Sequence, residues 1–274
     1  MPAGSGALAG LRRLRGLVID MDGVLWAGDT ALPGLEGFIA GLRRRGVHFV
    51  LATNNNTQTP AGFAEKACRL GAVVHPEEVI TATTATIHYL RGRFPAGTPL
   101  YAIGERPLKE QLEQAGYPLN DQNAAAVIAA LDRNLTYEML KRATLLIRAG
   151  AEFIAPNPDV VYPTPEGLVP GSGMVLAALE ATTGCRPQII GKPEAGIFRM
   201  ALDRMGLAPS ECASLGDRLD TDIAGGQRAG LKSILVLSGV TTASDLAASS
   251  LQPDWVFAGI SELIAALEAG SPEN

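Results

Sequence analysis

Short apolar runs alternate with amphipathic stretches of helical length along most of this chain of 274 residues. This alternation is typical of βαβ units, in which helices connect the strands of a parallel sheet. The apolar runs toward the two ends of the sequence predict five strands: LVID (17–20), VHFVLAT (47–53), ASLG (213–216), SILVLS (233–238) and DWVFA (254–258). We therefore predict an α/β fold built on a parallel sheet.

A second set of predicted elements lies between these two groups of strands. Helices and strands alternate in it: helix 82–94, strand 101–104, helix 106–116, strand 125–131, helix 137–150, strand 152–157 and helix 174–184. We predict that residues 82–186 form an inserted α/β domain. The flanking residues 16–81 and 187–274 would then close into one core domain, preceded by a mobile tail at residues 1–15.

Composition excludes several classes of partner and site. The net charge is -5 and the pI about 5.3, so no positive field is expected to attract nucleic acid. Three cysteines without CxxC spacing, Cys68, Cys185 and Cys212, suggest neither a disulfide framework nor a zinc site. No secretory signal pattern and no run of about 18 apolar residues is found. We expect a cytoplasmic protein that has no membrane partner.

Two carboxylates follow the first predicted strand. In the stretch LVIDMDGVL, Asp20 and Asp22 are alternate residues, and alternate residues of an extended chain face the same side. Like charges held this close raise each other's pKa unless a cation lies near them. The stretch therefore predicts a bound cation or a shared proton.

Four polar clusters fall at or just after strand ends: DMDGVLW (20–26), TNNNTQTP (53–60), IIGKPEAGIF (189–198) and LGDRLDTDIAGG (215–226). Each alone could be an ordinary turn or helix cap. In one parallel sheet, however, Asp20, Asp22, Asp217 and Asp222 would converge at the carboxyl edge. Oxygen ligands of this kind favour Mg²⁺, and Lys192 would add positive charge beside a bound phosphate.

The second cluster adds groups that bind anions. Thr53, Asn54 and Asn55 offer a hydroxyl, side-chain amides and backbone N–H groups at a predicted strand-to-helix turn. Together with the acids and the lysine, they describe a pocket for a phosphoryl group. Phosphoryl transfer needs mainly positioning and charge neutralisation, and a carboxylate can serve as its nucleophile.

These motifs, in this order, resemble the haloacid dehalogenase superfamily, specifically its class IIA branch of p-nitrophenylphosphatase-like hydrolases. The resemblance covers the chain beyond the tail, including PGSGMVLAALEATTG before the GKP motif. It implies a Rossmann-like parallel-sheet core with an α/β cap inserted after the second motif. The implied activity is Mg²⁺-dependent hydrolysis of small phosphomonoesters.

The resemblance also implies roles for single residues. Asp20 would be the nucleophile, and Asp22 the acid that protonates the leaving oxygen and later the base that activates water. Mg²⁺ would be bound by Asp20, by the backbone carbonyl of Asp22 and by Asp217, with Asp222 supporting these ligands from outside the coordination sphere. Phosphate would be held by Thr53, Asn54, Asn55 and Lys192.

A cap loop is implied to reach the substrate, and its equivalent here is APNPDVVYPTPEG (155–167). The candidates for substrate contact are Asn157, Asp159 and Tyr162, although Asn-Pro and Pro-Asp are also plain turn formers. Some pyridoxal-phosphate phosphatases have a histidine where this chain has Tyr162, which weakens pyridoxal phosphate as a substrate. The expected partner is a small phosphorylated metabolite, and a homodimer is possible.

Two other functions remain compatible with these residues. One is a phosphate-binding or regulatory module with little turnover, and the other is a phosphotransferase with the same chemistry and a second acceptor substrate. The intact set of Asp20, Asp22, Lys192 and Asp217 argues against the first.

The acid role of Asp22 predicts a dependence on the leaving group. Asp22→Asn is expected to lower kcat/KM by about 10²–10⁴-fold for alkyl phosphates, whose leaving oxygen needs a proton. The loss should be smallest for p-nitrophenyl phosphate, whose leaving group departs as a stable anion. Steady-state kinetics on both esters tests this through kcat/KM, which reports the step in which the leaving group departs. An equal loss of kcat/KM on both esters would contradict the acid role of Asp22.

Overall fold

The computed structural model describes residues 5–164 and 166–269, which form alternating strands and helices. In chain order these are α1 (Ser5–Leu11), β1 (Gly16–Ile19), β2 (Trp26–Ala27), β3 (Thr30–Ala31), α2 (Leu35–Arg44), β4 (His48–Thr53), α3 (Pro60–Arg69), β5 (Val79–Thr81), α4 (Ala82–Arg93), β6 (Leu100–Ile103), α5 (Arg106–Gln114), β7 (Ala126–Ala129), α6 (Tyr137–Arg148), β8 (Glu152–Ala155), β9 (Val161–Thr164), β10 (Gly167–Pro170), α7 (Ser172–Thr183), β11 (Gln188–Ile189), α8 (Ala195–Met205), β12 (Cys212–Gly216), α9 (Ala224–Arg228), β13 (Lys232–Val236), α10 (Ala243–Ala248), β14 (Trp255–Phe257) and α11 (Ile260–Glu268). Every strand and helix predicted above is present, with ends that differ by at most two residues. Within the described ranges, no helix has the length and apolar content needed to cross a membrane.

The chain divides into two compact units. The first comprises Met1–Thr53, Pro60–Ile80 and Lys192–Asn274, and the second comprises Asn54–Thr59 and Thr81–Gly191. The predicted insertion, residues 82–186, starts one residue after the observed start at Thr81 and ends before the observed end at Gly191. The later end has a physical cause, because β11 pairs in parallel with β8 and so extends the sheet of the second unit.

The first unit contains a six-stranded sheet in the order β14-β13-β12-β1-β4-β5. Its pairs from β14 to β4 are parallel. Leu17 and Ile19 of β1 join a large apolar cluster with α2 and α11, whereas α8 lies outside this cluster and packs on β1 and β4. Covered strands of this kind are apolar on both sides, which explains why they read as continuous apolar runs.

The second unit contains a four-stranded parallel sheet in the order β11-β8-β7-β6. Helices α6 and α7 pack on this sheet and bury a second apolar cluster. The segment predicted as a cap loop, residues 155–167, contains β9, which forms an antiparallel hairpin with β10 in which Tyr162 lies opposite Val169. Both units are thus α/β, which confirms the predicted fold class.

The predicted mobile tail is wrong for residues 5–15, while residues 1–4 lie outside the described residues. Helix α1 contacts α11, the side chain of Leu11 is fully buried, and Arg12 Nε donates a hydrogen bond to the carbonyl of Ala266 at 3.2 Å. The leucines of this segment supply an apolar face that packs on the C-terminal helix.

The packing of α1 on the rest of the first unit can be tested by its contribution to the free energy of unfolding. Leu11→Ala is expected to lower the free energy of unfolding by about 2–5 kcal/mol, because it removes fully buried side-chain atoms and leaves a cavity. Urea denaturation tests this, with the exposed Arg13→Ala as the control in the same segment. Equal stability of the two variants would mean that α1 does not dock in solution.

Candidate active site

Three predicted site residues of the first unit stand at the carboxyl ends of adjacent strands. Asp20 directly follows β1, Thr53 is the last residue of β4, and Asp217 directly follows β12. The N–H of Asp20 donates to the carbonyl of Leu215 at 2.8 Å, so the β1–β12 ladder continues up to the acid. Carboxyl ends of neighbouring parallel strands form the usual binding edge of an open α/β sheet.

Lys192 lies between two of the acids. Its Nζ is 2.5 Å from Asp20 Oδ1 and 2.7 Å from Asp222 Oδ1, and the residue is only 4% exposed. Burial alone would lower the pKa of this ammonium group, but the attraction of Asp20 and Asp222 outweighs burial and raises the pKa. Lys192 is therefore charged at neutral pH and offsets part of the negative charge around it.

Asp222 is held by the turn in which it lies. Residues Leu219–Ile223 form a π-helical turn, and the N–H of Arg218 donates to Asp222 Oδ2 at 3.1 Å. A Cβ at Gly216 would collide with the Asp222 side chain, so the glycine before Asp217 permits this close approach. Both oxygens of Asp222 are thus engaged, one by Lys192 and one by the backbone.

Asp217 is the most deeply buried of these acids, at 1% exposure. Its Oδ2 accepts a hydrogen bond from the N–H of Val240 at 2.7 Å, whereas its Oδ1 has no hydrogen-bond partner among the described residues. Burial, and then repulsion from Asp222, raise the pKa of Asp217 to about 6, although the Val240 N–H opposes this. A buried carboxylate oxygen without a partner is costly unless a cation or a proton satisfies it.

The donor set fits a divalent cation. Asp20, Asp217 and Asp222 each offer one oxygen, and these oxygens lie within 4.8 Å of one another. Carboxylate oxygens suit hard cations such as Mg²⁺ or Ca²⁺. The unpartnered Oδ1 of Asp217 is the atom that a cation would satisfy most directly.

The two acids of the DxD stretch both resist ionisation. Burial raises the pKa of Asp20 well above its usual range; Lys192 opposes this shift, and Asp222 and Asp217 add to it. Burial also raises the pKa of Asp22, and Lys66 partly offsets that effect. A raised pKa favours the protonated form of Asp22, which a general acid needs.

Lys66 was missed by the sequence reasoning. It lies on α3, is only 9% exposed, and its Nζ is 4.9 Å from the ring centroid of Trp26. The backbone of Trp26 forms a β-bridge with that of Asp22. A lysine in an amphipathic helix usually points to solvent, so the sequence carries no local signal for this burial.

The segment after β13 was missed as well. The Ser238 hydroxyl donates to the carbonyl of Gly23 at 2.7 Å, and Val240 binds Asp217 through its N–H. This segment connects the DxD loop with Asp217. The glycine and small polar residues in LSGVTT, placed after a parallel strand, were the available signal.

Asn54 and Asn55 belong to the second unit, in the segment Asn54–Thr59, which we call the asparagine loop. The carbonyl of Asn54 accepts a hydrogen bond from Asn157 Nδ2 at 2.7 Å. Asn55 Oδ1 accepts from the N–H and the hydroxyl of Thr57, at 2.9 and 2.8 Å, which closes a tight local turn.

The predicted specificity residues also lie in the second unit. Asn157 is 4% exposed, and its Oδ1 accepts from the N–H of Asp159 at 3.1 Å. The Tyr162 hydroxyl accepts from Arg133 Nε at 3.3 Å. Contact of any of these three residues with substrate stays a prediction.

Comparison with known proteins gives one consistent family. A family profile described as haloacid dehalogenase-like hydrolase matches residues 17–118, and a second HAD-like hydrolase profile matches residues 189–263. An acid sugar phosphatase of Staphylococcus aureus (strain USA300) is 38% identical over 259 residues, which are 94% of this chain and 100% of the relative.

Solved structures agree with this family. The 4-nitrophenylphosphatase from Thermotoga maritima superimposes with a TM-score of 0.91 at 35% identity, covering 94% of this chain and 99% of that one. A glycerol phosphate phosphatase from Mycobacterium tuberculosis, solved in complex with calcium, has a TM-score of 0.85 at 30% identity, covering 93% of this chain and 76% of that one.

The chain therefore belongs to the haloacid dehalogenase-like hydrolase family. Within that superfamily it is a class IIA member, as the four sequence motifs predicted.

The environment of Asp217 predicts a pH-dependent response to metal. Below about pH 6 a proton competes with the cation for this carboxylate. The rise in Tm caused by MgCl₂ should therefore be large at pH 7.5 and small at pH 5. Without metal, stability changes with pH in the opposite direction. The folded chain holds the proton of Asp217 more tightly than the unfolded chain does, so the contribution of Asp217 to stability falls as pH rises from about 4 to about 6.

Thermal unfolding at several pH values, with MgCl₂ or with chelator, measures both effects. Asp217→Asn should remove most of the response to MgCl₂, whereas Asp203→Asn, which removes an exposed carboxylate of α8, should keep it. A response that is independent of pH, or that survives in Asp217→Asn, would contradict the assigned role of Asp217.

Proposed function

We propose that this protein is a Mg²⁺-dependent phosphatase that hydrolyses small-molecule phosphomonoesters through an aspartyl-phosphate intermediate. The observation that carries the proposal is the buried cluster in which Lys192 binds Asp20 and Asp222 beside Asp217. This cluster holds a carboxylate nucleophile, a fixed positive charge and a set of oxygen ligands at one edge of the sheet.

In the proposed reaction, Asp20 attacks the phosphorus atom of the ester. As the new bond to phosphorus forms, the bond to the ester oxygen breaks, and Asp22 gives its proton to the leaving oxygen. Asp22, now a carboxylate, takes a proton from water, which attacks the same phosphorus atom and frees Asp20. The charge of Lys192 stabilises the carboxylate form of Asp20 and so opposes the effect of burial, which favours the protonated form.

The metal has a supporting role in this proposal. Bound by the carboxylates of Asp20 and Asp217 and by the backbone carbonyl of Asp22, Mg²⁺ would neutralise charge on the transferred phosphoryl oxygens. Asp222 would hold Lys192 in place, which agrees with the engagement of both its oxygens.

Phosphate would be held by Thr53, Asn54, Asn55 and Lys192. The hydroxyl, amide and N–H donors follow a strand directly, and such donors suit a phosphate anion. The named activities of the relatives, on sugar phosphate, 4-nitrophenyl phosphate and glycerol phosphate, support a small phosphorylated metabolite as substrate. Asp159 and Tyr162 remain candidates for choosing among leaving groups.

Phosphate release from a panel of esters tests the function. The panel contains p-nitrophenyl phosphate, glycerol phosphate and several sugar phosphates, each with MgCl₂ and with chelator. We expect metal-dependent release that Asp20→Asn reduces by at least about a thousandfold, because the nucleophile is lost in a nearly isosteric change. Asp203→Asn serves as the matched control.

Rapid quenching followed by mass spectrometry should find one phosphoryl group on the peptide that contains Asp20. Near-normal turnover of Asp20→Asn would overturn the nucleophile assignment. No release from any ester, with phosphate still bound, would favour a binding module, and transfer to an added acceptor in place of hydrolysis would favour a phosphotransferase.

A further inference from the structure

One side chain of the second unit reaches the asparagine loop from far along the chain. Asn157 Nδ2 donates to the carbonyl of Asn54 at 2.7 Å, across 103 residues, and the contact is buried. A buried carbonyl is rarely left without a donor, because an unsatisfied polar group is costly. The amide of Asn157 is therefore committed to the backbone of Asn54.

Asn157 is itself held in place by its surroundings. Its Oδ1 accepts from the N–H of Asp159, and the carbonyl of Asp159 accepts from the N–H of Gly173 at 2.9 Å. The N–H of Gly171 donates to the carbonyl of Val160 at 2.8 Å. A Cβ at Gly171 or Gly173 would collide with this backbone, so the start of α7 can approach it only because both residues are glycines.

The same loop is confined from another side by Gly191. A Cβ at this position would collide with Asn54 Oδ1 and with the carbonyl of Pro156, and the N–H of Gly191 donates to that carbonyl at 2.8 Å. Gly191 directly precedes Lys192 in the chain. Both the backbone and the side chain of Asn54 are thus packed against fixed parts of the second unit.

Fixing the Asn54 carbonyl also fixes the next N–H. The peptide bond is planar and trans, so the carbonyl of Asn54 and the N–H of Asn55 point in opposite directions within one rigid plane. A donor that holds the carbonyl on one side therefore sets the direction of the N–H on the other.

We propose that Asn157 is a positioning residue for phosphate binding, which orients the Asn54–Asn55 peptide by holding the Asn54 carbonyl. The inference rests on the proposed function, in which this loop binds the phosphate common to all substrates. It differs from the direct substrate contact predicted for Asn157 from the sequence, because a group that chooses among leaving groups affects substrates unequally. A group that orients the phosphate donors affects all substrates alike.

Asn157→Asp is the most specific test. The carboxylate keeps an oxygen for the N–H of Asp159 but cannot donate to the Asn54 carbonyl. We expect kcat/KM to fall by a similar factor, about tenfold, for every ester, and the inhibition constant of inorganic phosphate to rise by a comparable factor. The order of preference among esters should not change.

Asn120→Asp is the matched control. Asn120 is an exposed asparagine of the same unit whose Oδ1 accepts from the N–H groups of Gln122 and Asn123, at 2.7 and 3.1 Å. The same substitution there keeps its acceptor, so kinetics and phosphate inhibition should match those of the unsubstituted protein.

Two outcomes would overturn the inference. One is an altered order of esters with unchanged phosphate inhibition, which would make Asn157 a specificity residue. The other is no change in either quantity. Thermal unfolding checks the fold of each variant, and if Asn157→Asp does not fold, Asn157→Ala is assayed for the same uniform loss.

Failure of the proposed function would look different. If the unsubstituted protein releases no phosphate from any ester, calorimetric binding of inorganic phosphate is compared between it and Asn157→Asp. Binding weakened about tenfold in the variant supports the positioning role, and equal binding overturns it. No phosphate binding by the unsubstituted protein would overturn both the function and this inference.

Discussion

The arrangement of the site depends on the ion pairs that the buried ammonium group of Lys192 forms with Asp20 and Asp222. Asp20, Asp217 and Asp222 would repel one another strongly in a poorly solvated environment, and Lys192 binds two of them directly. A buried charge that loses its partner is strongly destabilising, so Lys192 and the two acids that it binds stabilise one another. The lysine offsets only part of the acidic charge, and the remaining negative charge is what a divalent cation would neutralise.

Sheet topology explains how residues so far apart in sequence form this cluster. Strand β1 lies between β4 and β12 in the sheet. In the sequence, however, most of the second unit lies between β4 and β12. Parallel strands connected by crossovers present all their carboxyl ends at one edge. An acid placed directly after β1 and another directly after β12 are therefore neighbours, whatever sequence is inserted between them.

The asparagine loop lies in sequence between two segments of the first unit but belongs in space to the second unit. It follows β4 directly, yet it belongs to the second unit because Asn157 and Gly191 hold its first residue. The chain passes between the units four times, at Thr53, Thr59, Ile80 and Gly191. Three of these crossings, at Thr53, Thr59 and Gly191, are therefore close in sequence to a residue of the candidate site or to the loop that follows β4.

The sequence by itself determined the α/β class, most strand and helix positions, and the motifs that identify the family, because these depend on local periodicity and on residues placed directly after strands. Only the tertiary structure decided that Leu11 anchors α1, that β11 pairs with β8, and that Lys66 and Asn157 are buried. A strand of two residues is too short to show a hydrophobic period. From the neighbouring sequence alone, a lysine is predicted to be solvent-exposed and an asparagine to lie in a turn. Their partners lie far away along the chain, and only the packing of the completed fold brings them into contact.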